Sequence, residues 1–211
     1  MNELDIIAER IRQDMTTKTA AREEALQFSR EAIQHCAYSI RAVHRGEFAE
    51  ALDRLGQARD LVTRMAELLR PFPDLYYAGY VQDAQKEYTE ASTIYALIHG
   101  DPWPAPEDLG VDAAPYLNGL GEAVGELRRY ALDRIRWGEV ARAEAVLDWM
   151  QSIYDILVTM DFPDAVTRGL RRTTDLARGI LEKTRGDLTV AVRQEQLEQA
   201  LRDSERSWRL A

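Results

Sequence analysis

The chain has 211 residues, 45% of them hydrophobic and 30% charged, with a formal net charge of −9 at pH 7. That length suits one large domain or two small ones, with ample apolar residues for a core. The acidity excludes a uniformly basic, nonspecific nucleic-acid binder, whose affinity comes from neutralising phosphates. It leaves open how charge is laid out, so an acidic exterior could still enclose basic surface.

Cys36 is the only cysteine, so no internal disulfide can form, which fits a reducing compartment. The N-terminal sequence MNELDIIAERIRQDM is charged and amphipathic and lacks a signal-peptide core. No run of about 18 apolar residues is present to span a membrane. The expectation is a cytoplasmic protein with no membrane partner.

Helical periodicity runs the length of the chain. Residues 2–45 predict one long helix or two collinear ones, with Leu4, Ile7, Ile11, Met15, Ala25, Phe28, Ala32, Cys36, Ile40 and Val43 in register. Gly46 is a good stop. Residues 47–70 form the second helix, ended by Pro71 and Pro73. The third spans 80–99 and is followed by a loop forced by Gly100, Pro102, Pro104 and Pro106. Asp112 is a plausible cap and Pro115 suits the first turn of the fourth helix, which runs to about Trp137. The fifth spans 139–160. The sixth spans 163–185 and is closed by Gly186, after which Asp187 caps a last helix reaching Ser207. No strand-like alternation persists. The predicted fold is all-α, an antiparallel bundle of six or seven helices in a single domain over 1–211.

The third helix carries the first chemical signal. Tyr80, Ala84, Tyr88, Ala91, Ile94, Tyr95 and Ile98 gather on one broad face, Glu87 falls inside that arc, and Asp83 and Glu90 fall at its edge. A carboxylate on an apolar face needs a cation, a proton or a metal ion, because an isolated buried charge is very costly. Glu87 and Glu90 are three residues apart and neighbour each other on the helix surface. A hard divalent cation such as Mg²⁺ suits that pair, and a salt bridge to an arginine of another helix suits Glu87 as well.

The fourth helix offers a second pair, Glu122 and Glu126. Gly121 and Gly125 stand beside it, each costing roughly 1 kcal/mol relative to alanine inside a helix, and so point to a close approach. Acidic residues fill 36 of the 211 positions, so such pairs also arise by chance. His35, His44 and His99 have no zinc-like spacing. Neither a glycine-rich phosphate loop nor a nucleophile elbow is present. Arginines cluster along the first, fourth and sixth helices, where solvated faces or a phosphate-binding surface would each explain them. Tyr76, Tyr77 and Tyr80 could stack on unpaired bases or pack in the core.

Three stretches resemble the translin / translin-associated factor X family, nearest to its archaeal, factor-X-like branch. They are AQKEYTEA at 84–91, PYLNGLGEAVGELRR at 115–129, and RAVHRGEF at 41–48 with Arg30 upstream. The resemblance runs over nearly the whole chain. It implies an all-helical subunit of an oligomeric shell, a homo-octamer, that binds single-stranded RNA or DNA inside. The factor-X type is a Mg²⁺-dependent endoribonuclease, and Mn²⁺ is the other candidate ion. The translin type binds without cutting, and that non-catalytic function is the alternative. By this resemblance Glu87, Glu90 and Glu122 are the catalytic residues and, with Glu126, the metal ligands. Arg30, Arg41, His44, Arg45 and Arg129 contact nucleic acid. Glu122 departs from the family, which has aspartate there in the catalytic type and an apolar residue in translin.

Overall fold

A computed structural model describes residues 2–210, with side chains described through residue 208. Among these residues there is no strand. They form six long helices and three of a single turn, in the order α1 Glu3–Arg45, α2 Phe48–Leu69, α3 Pro73–Tyr76, α4 Gly79–His99, α5 Pro106–Leu109, α6 Ala113–Arg136, α7 Val140–Thr159, α8 Asp164–Thr167 and α9 Leu170–Leu210. The chain gathers into two compact units, divided between Gly119 and Leu120 inside the continuous helix α6.

The first unit is built on α1, which packs against both α2 and α4. The start of α1 is fixed by a reciprocal cap, in which the Asp5 amide donates to Asn2 and the Asn2 amide donates to the Asp5 carboxylate, each at 2.8 Å. Gly46 ends it in the left-handed conformation at φ 76°, which favours glycine. Its buried stripe is rich in small residues: Ala25, Ala32, Cys36 and Ala42 are fully buried against Ala51 and Ala58 of α2 and Ala84 and Ala91 of α4. Small side chains let the helix axes come close, and Met65, Leu69, Val81 and Ile94 fill the remaining space. Among the described residues none before Ala21 is buried, so the first turns of α1 stand clear of this core.

In the second unit Val140, Ala143, Val146, Met150, Ile153 and Leu157 form the buried face of α7. They pack against Leu170, Ala177, Leu181, Thr184 and Leu188 of α9. Here the expected boundaries fail. The helix predicted over 163–185 breaks at once: α8 is one turn, and Arg168 at φ 51° and Gly169 at φ 85° turn the chain into α9. The Asp164 carboxylate accepts from the Gly169 amide at 2.7 Å and holds that turn. Nor does Gly186 stop anything. α9 runs through it, and Asp187 caps no helix but receives Arg128. Leu181, Thr184 and Leu188 keep helical spacing on the α7-facing stripe, and that burial outweighs the roughly 1 kcal/mol that one glycine costs.

A candidate carboxylate metal centre

Helix α4 is enclosed on nearly every side, with 15 of its 21 residues buried. An apolar arc therefore cannot say which side chains are inside. Glu90, expected at the edge, is 9% exposed, whereas Glu87, expected within the arc, is half-buried; Asp83, also expected at the edge, is exposed. Gln82, Gln85, Thr89, Ser92 and Thr93 are buried on the same helix.

A close backbone approach brings the start of α6 against α4. A Cβ at Gly119 would stand 2.6 Å from the Lys86 carbonyl oxygen and 2.7 Å from the Thr89 Cβ, so only glycine lets α6 lie this near α4. Glu122 follows Gly119 by three residues, about one turn further along the same helix. Gly121 serves the other expected approach, since its missing side chain makes room for Thr173 of α9. Gly125, which carried the same expectation, has open space around it.

Glu87, Glu90 and Glu122 each offer one carboxylate oxygen, and the three oxygens all lie within 4.8 Å of one another. Glu126 is half-buried on α6, with Arg129 Nη1 at 3.7 Å. The electrostatics next to the pair on α4 are negative. Burial pushes the Cys36 thiol far above its ordinary range, and the charges of Glu87 and then Glu90 push it further. Three carboxylates form an all-oxygen donor set, which suits a hard divalent cation such as Mg²⁺ or Mn²⁺ and is a poor match for ions that want nitrogen or sulfur. Such an ion would also offset the repulsion among the three acids.

The basic candidates are more scattered. Arg30 is exposed on α1. Arg41 is exposed, donates Nε to the Ala37 carbonyl at 3.1 Å, and lies over the Tyr38 ring. His44 is half-buried. Arg45 is engaged by Glu47 and, at 3.2 Å, by Glu50. Arg129 is largely exposed. Of the tyrosines before α4, Tyr76 packs edge-on against Tyr77 and receives the Gln85 amide at 3.2 Å, while Tyr77 stays exposed.

The fold and this cluster define an all-helical protein with an acidic, oxygen-donor centre. Two solved structures of AfC3PO, the C3PO of Archaeoglobus fulgidus, one of them a duplex RNA complex, match the chain at TM-score 0.82. They are 37% and 36% identical, and each match covers 89% of this chain and 97% of the other. Apo-NeC3PO, from Neurospora, matches at TM-score 0.74 and 22% identity over 90% of this chain and 98% of that one, a likeness of fold. An uncharacterised protein of Methanocaldococcus jannaschii, MJ0175, is 30% identical over 190 residues, covering 89% of this chain and 84% of the relative. No protein-family model matches. The chain belongs to the translin / translin-associated factor X family, to which C3PO is assigned.

Proposed function

We propose that the protein is a metal-dependent endoribonuclease of the factor-X type, acting as a homo-oligomeric shell in which all of 1–211 forms one translin-like domain. The observation that carries this reading is the convergence of Glu87, Glu90 and Glu122, one of them buried, within 4.8 Å. The likeness to a C3PO solved with duplex RNA supports RNA as the substrate class.

Glu87, Glu90 and Glu122 would hold Mg²⁺ or Mn²⁺. When bound, such an ion lowers the pKa of a ligated water and stabilises charge developing on a phosphoryl oxygen. Glu126, one turn beyond Glu122, would join them as a ligand or hold a water beside the ion. Arg30, Arg41, His44, Arg45 and Arg129 hold the strand through its phosphates, which lets an acidic protein bind RNA. The products are those of phosphodiester hydrolysis. A homo-octamer in the cytoplasm, with single-stranded RNA cut and single-stranded DNA also held, completes the proposal.

The test is cleavage of labelled single-stranded and duplex RNA of the same sequence, with Mg²⁺, Mn²⁺ or EDTA. Cutting that needs the metal is expected. RNA retained but uncut under every metal condition would leave a binding shell of the translin type and overturn the nuclease reading.

A further inference from the structure

The edge shared by α1 and α2 carries cations that the carboxylate centre does not use. Arginines of α2 lie over aromatic rings of α1 in one antiparallel register. Arg64 stands 4.4 Å from the Phe28 ring centroid and Arg54 stands 5.3 Å from that of Tyr38. Ten residues separate the two stacked pairs on each helix, which is about 15 Å of helix length. Arg41 lies over the same Tyr38 ring at 4.8 Å. One ring therefore holds two guanidinium groups, from two helices. The ring itself is set by Gln34, whose amide donates to the Tyr38 hydroxyl at 3.0 Å.

Acids hold these two cations loosely: Arg54 has one long ion pair, to Glu50. Arg41 forms no ion pair among the described residues, and its Nε goes to a backbone carbonyl. The nearest carboxylate to Arg54 is Glu50 at 3.7 Å, beyond hydrogen-bonding range, and that carboxylate lies nearer Arg45, at 3.2 Å. Arg54 reaches Gln57 only at 3.4 Å, and its Nε is buried with no hydrogen-bond partner. The Arg54 side chain is 33% exposed, so its outer guanidinium nitrogens stay open to an anion while the buried Nε does not.

We propose that Arg41 and Arg54, stacked on Tyr38, form a phosphate subsite that takes one backbone phosphodiester of bound RNA. This rests on the RNA reading above and names a place where the strand is held. Guanidinium forks match phosphate oxygens in pairs. Stacking on Tyr38 fixes the forks before the ligand arrives, so less side-chain freedom is lost on binding. Tyr38 is the positioning residue, and Arg41 and Arg54 touch the phosphate.

The test measures RNA affinity against salt for wild type, Arg41→Gln/Arg54→Gln, Tyr38→Leu and Tyr38→Phe. Thermal denaturation confirms that each variant folds, and Arg54→Lys serves as the variant that keeps charge without the planar fork. The double variant is expected to bind RNA at least about tenfold more weakly. Its salt slope should be shallower by roughly 0.7 to 0.9 for each phosphate no longer neutralised. Tyr38→Leu, which keeps both charges, should weaken binding severalfold, and Tyr38→Phe, which keeps the ring but loses the Gln34 bond, should weaken it less. Calorimetric titration with inorganic phosphate is the second arm. Phosphate binding that the double variant loses, with RNA affinity and slope unchanged, assigns the site to free phosphate and overturns the RNA assignment. Unchanged binding of both ligands removes the subsite altogether, while wild type that retains no RNA removes the RNA reading itself.

Discussion

Gly119 of α6 lies against the Lys86 carbonyl of α4 with no room for a side chain, since a Cβ there would stand 2.6 Å from that oxygen. The obstacle is backbone, which cannot swing aside as a flexible side chain can. Gly119→Ala is expected to destabilise the protein by about 1–3 kcal/mol, the usual cost of overpacking, and to lower cleavage more than RNA binding. Gly125→Ala is the control on the same helix, with open space around it. It should be neutral or stabilising by up to about 1 kcal/mol through helix propensity. Denaturant titration of both variants checks the opposite signs.

Glu90 is the buried member of the carboxylate cluster, so its replacement tests ligation. Thermal melts of wild type and Glu90→Gln, with and without metal, make the comparison. Adding Mg²⁺ or Mn²⁺ should raise the wild-type midpoint, by about 2.7 kcal/mol of stabilisation at a concentration 100 times Kd. The variant should gain little. Equal metal-induced shifts in the two proteins would place the ion elsewhere.

Cys36 gives a pH dependence of definite sign. Burial first, then Glu87 and Glu90, hold its thiol protonated in the folded state well above the ordinary cysteine range. In the unfolded chain the thiol ionises near its ordinary value of about 8.5. Below that pH both states keep the proton and the full stability is present. As pH rises past it, only the unfolded state gains by ionising, and stability falls by up to about 1.4 kcal/mol per pH unit. Unfolding measured in EDTA between about pH 8.5 and 9.5 should therefore show a steeper loss in wild type than in Cys36→Ala. The folded protein should also resist thiol reagents at these pH values.

Gly186 tests the run of α9. It sits inside the helix with nothing near its missing side chain. Gly186→Ala should stabilise the protein by about 0.5–1 kcal/mol. A helix that stopped there with a left-handed glycine would instead be destabilised by alanine. Arg128→Ala, which removes bonds to Thr184 at 3.0 Å and Asp187 at 2.7 Å, should cost about 1–3 kcal/mol.

Most helix positions were legible because apolar spacing and glycine or proline stops coincide, as at Gly46, Gly100 and Pro71–Pro73. Legibility failed where one residue was asked to outvote packing, as at Gly186, or where the left-handed turn fell on Arg168, a residue that rarely adopts it. The burial order of Glu87 and Glu90 was reversed because α4 is covered all round, so a one-sided arc carries little information. The two acidic pairs were visible as pairs. The meeting of Glu122 with Glu87 and Glu90 is encoded by no periodicity, and only the family resemblance anticipated it. The stacking of Arg54 on Tyr38 joins residues 16 positions apart on different helices, and local spacing gave no sign of it.

The measurement that bears most directly on the central claim is cleavage of labelled RNA by wild type, Glu87→Gln, Glu90→Gln and Glu122→Gln, with RNA retention followed in the same samples. The carboxylate centre predicts that each substitution abolishes metal-dependent cutting while RNA is still retained. Undiminished cutting by all three variants would contradict it and place the chemistry, if any, outside these glutamates.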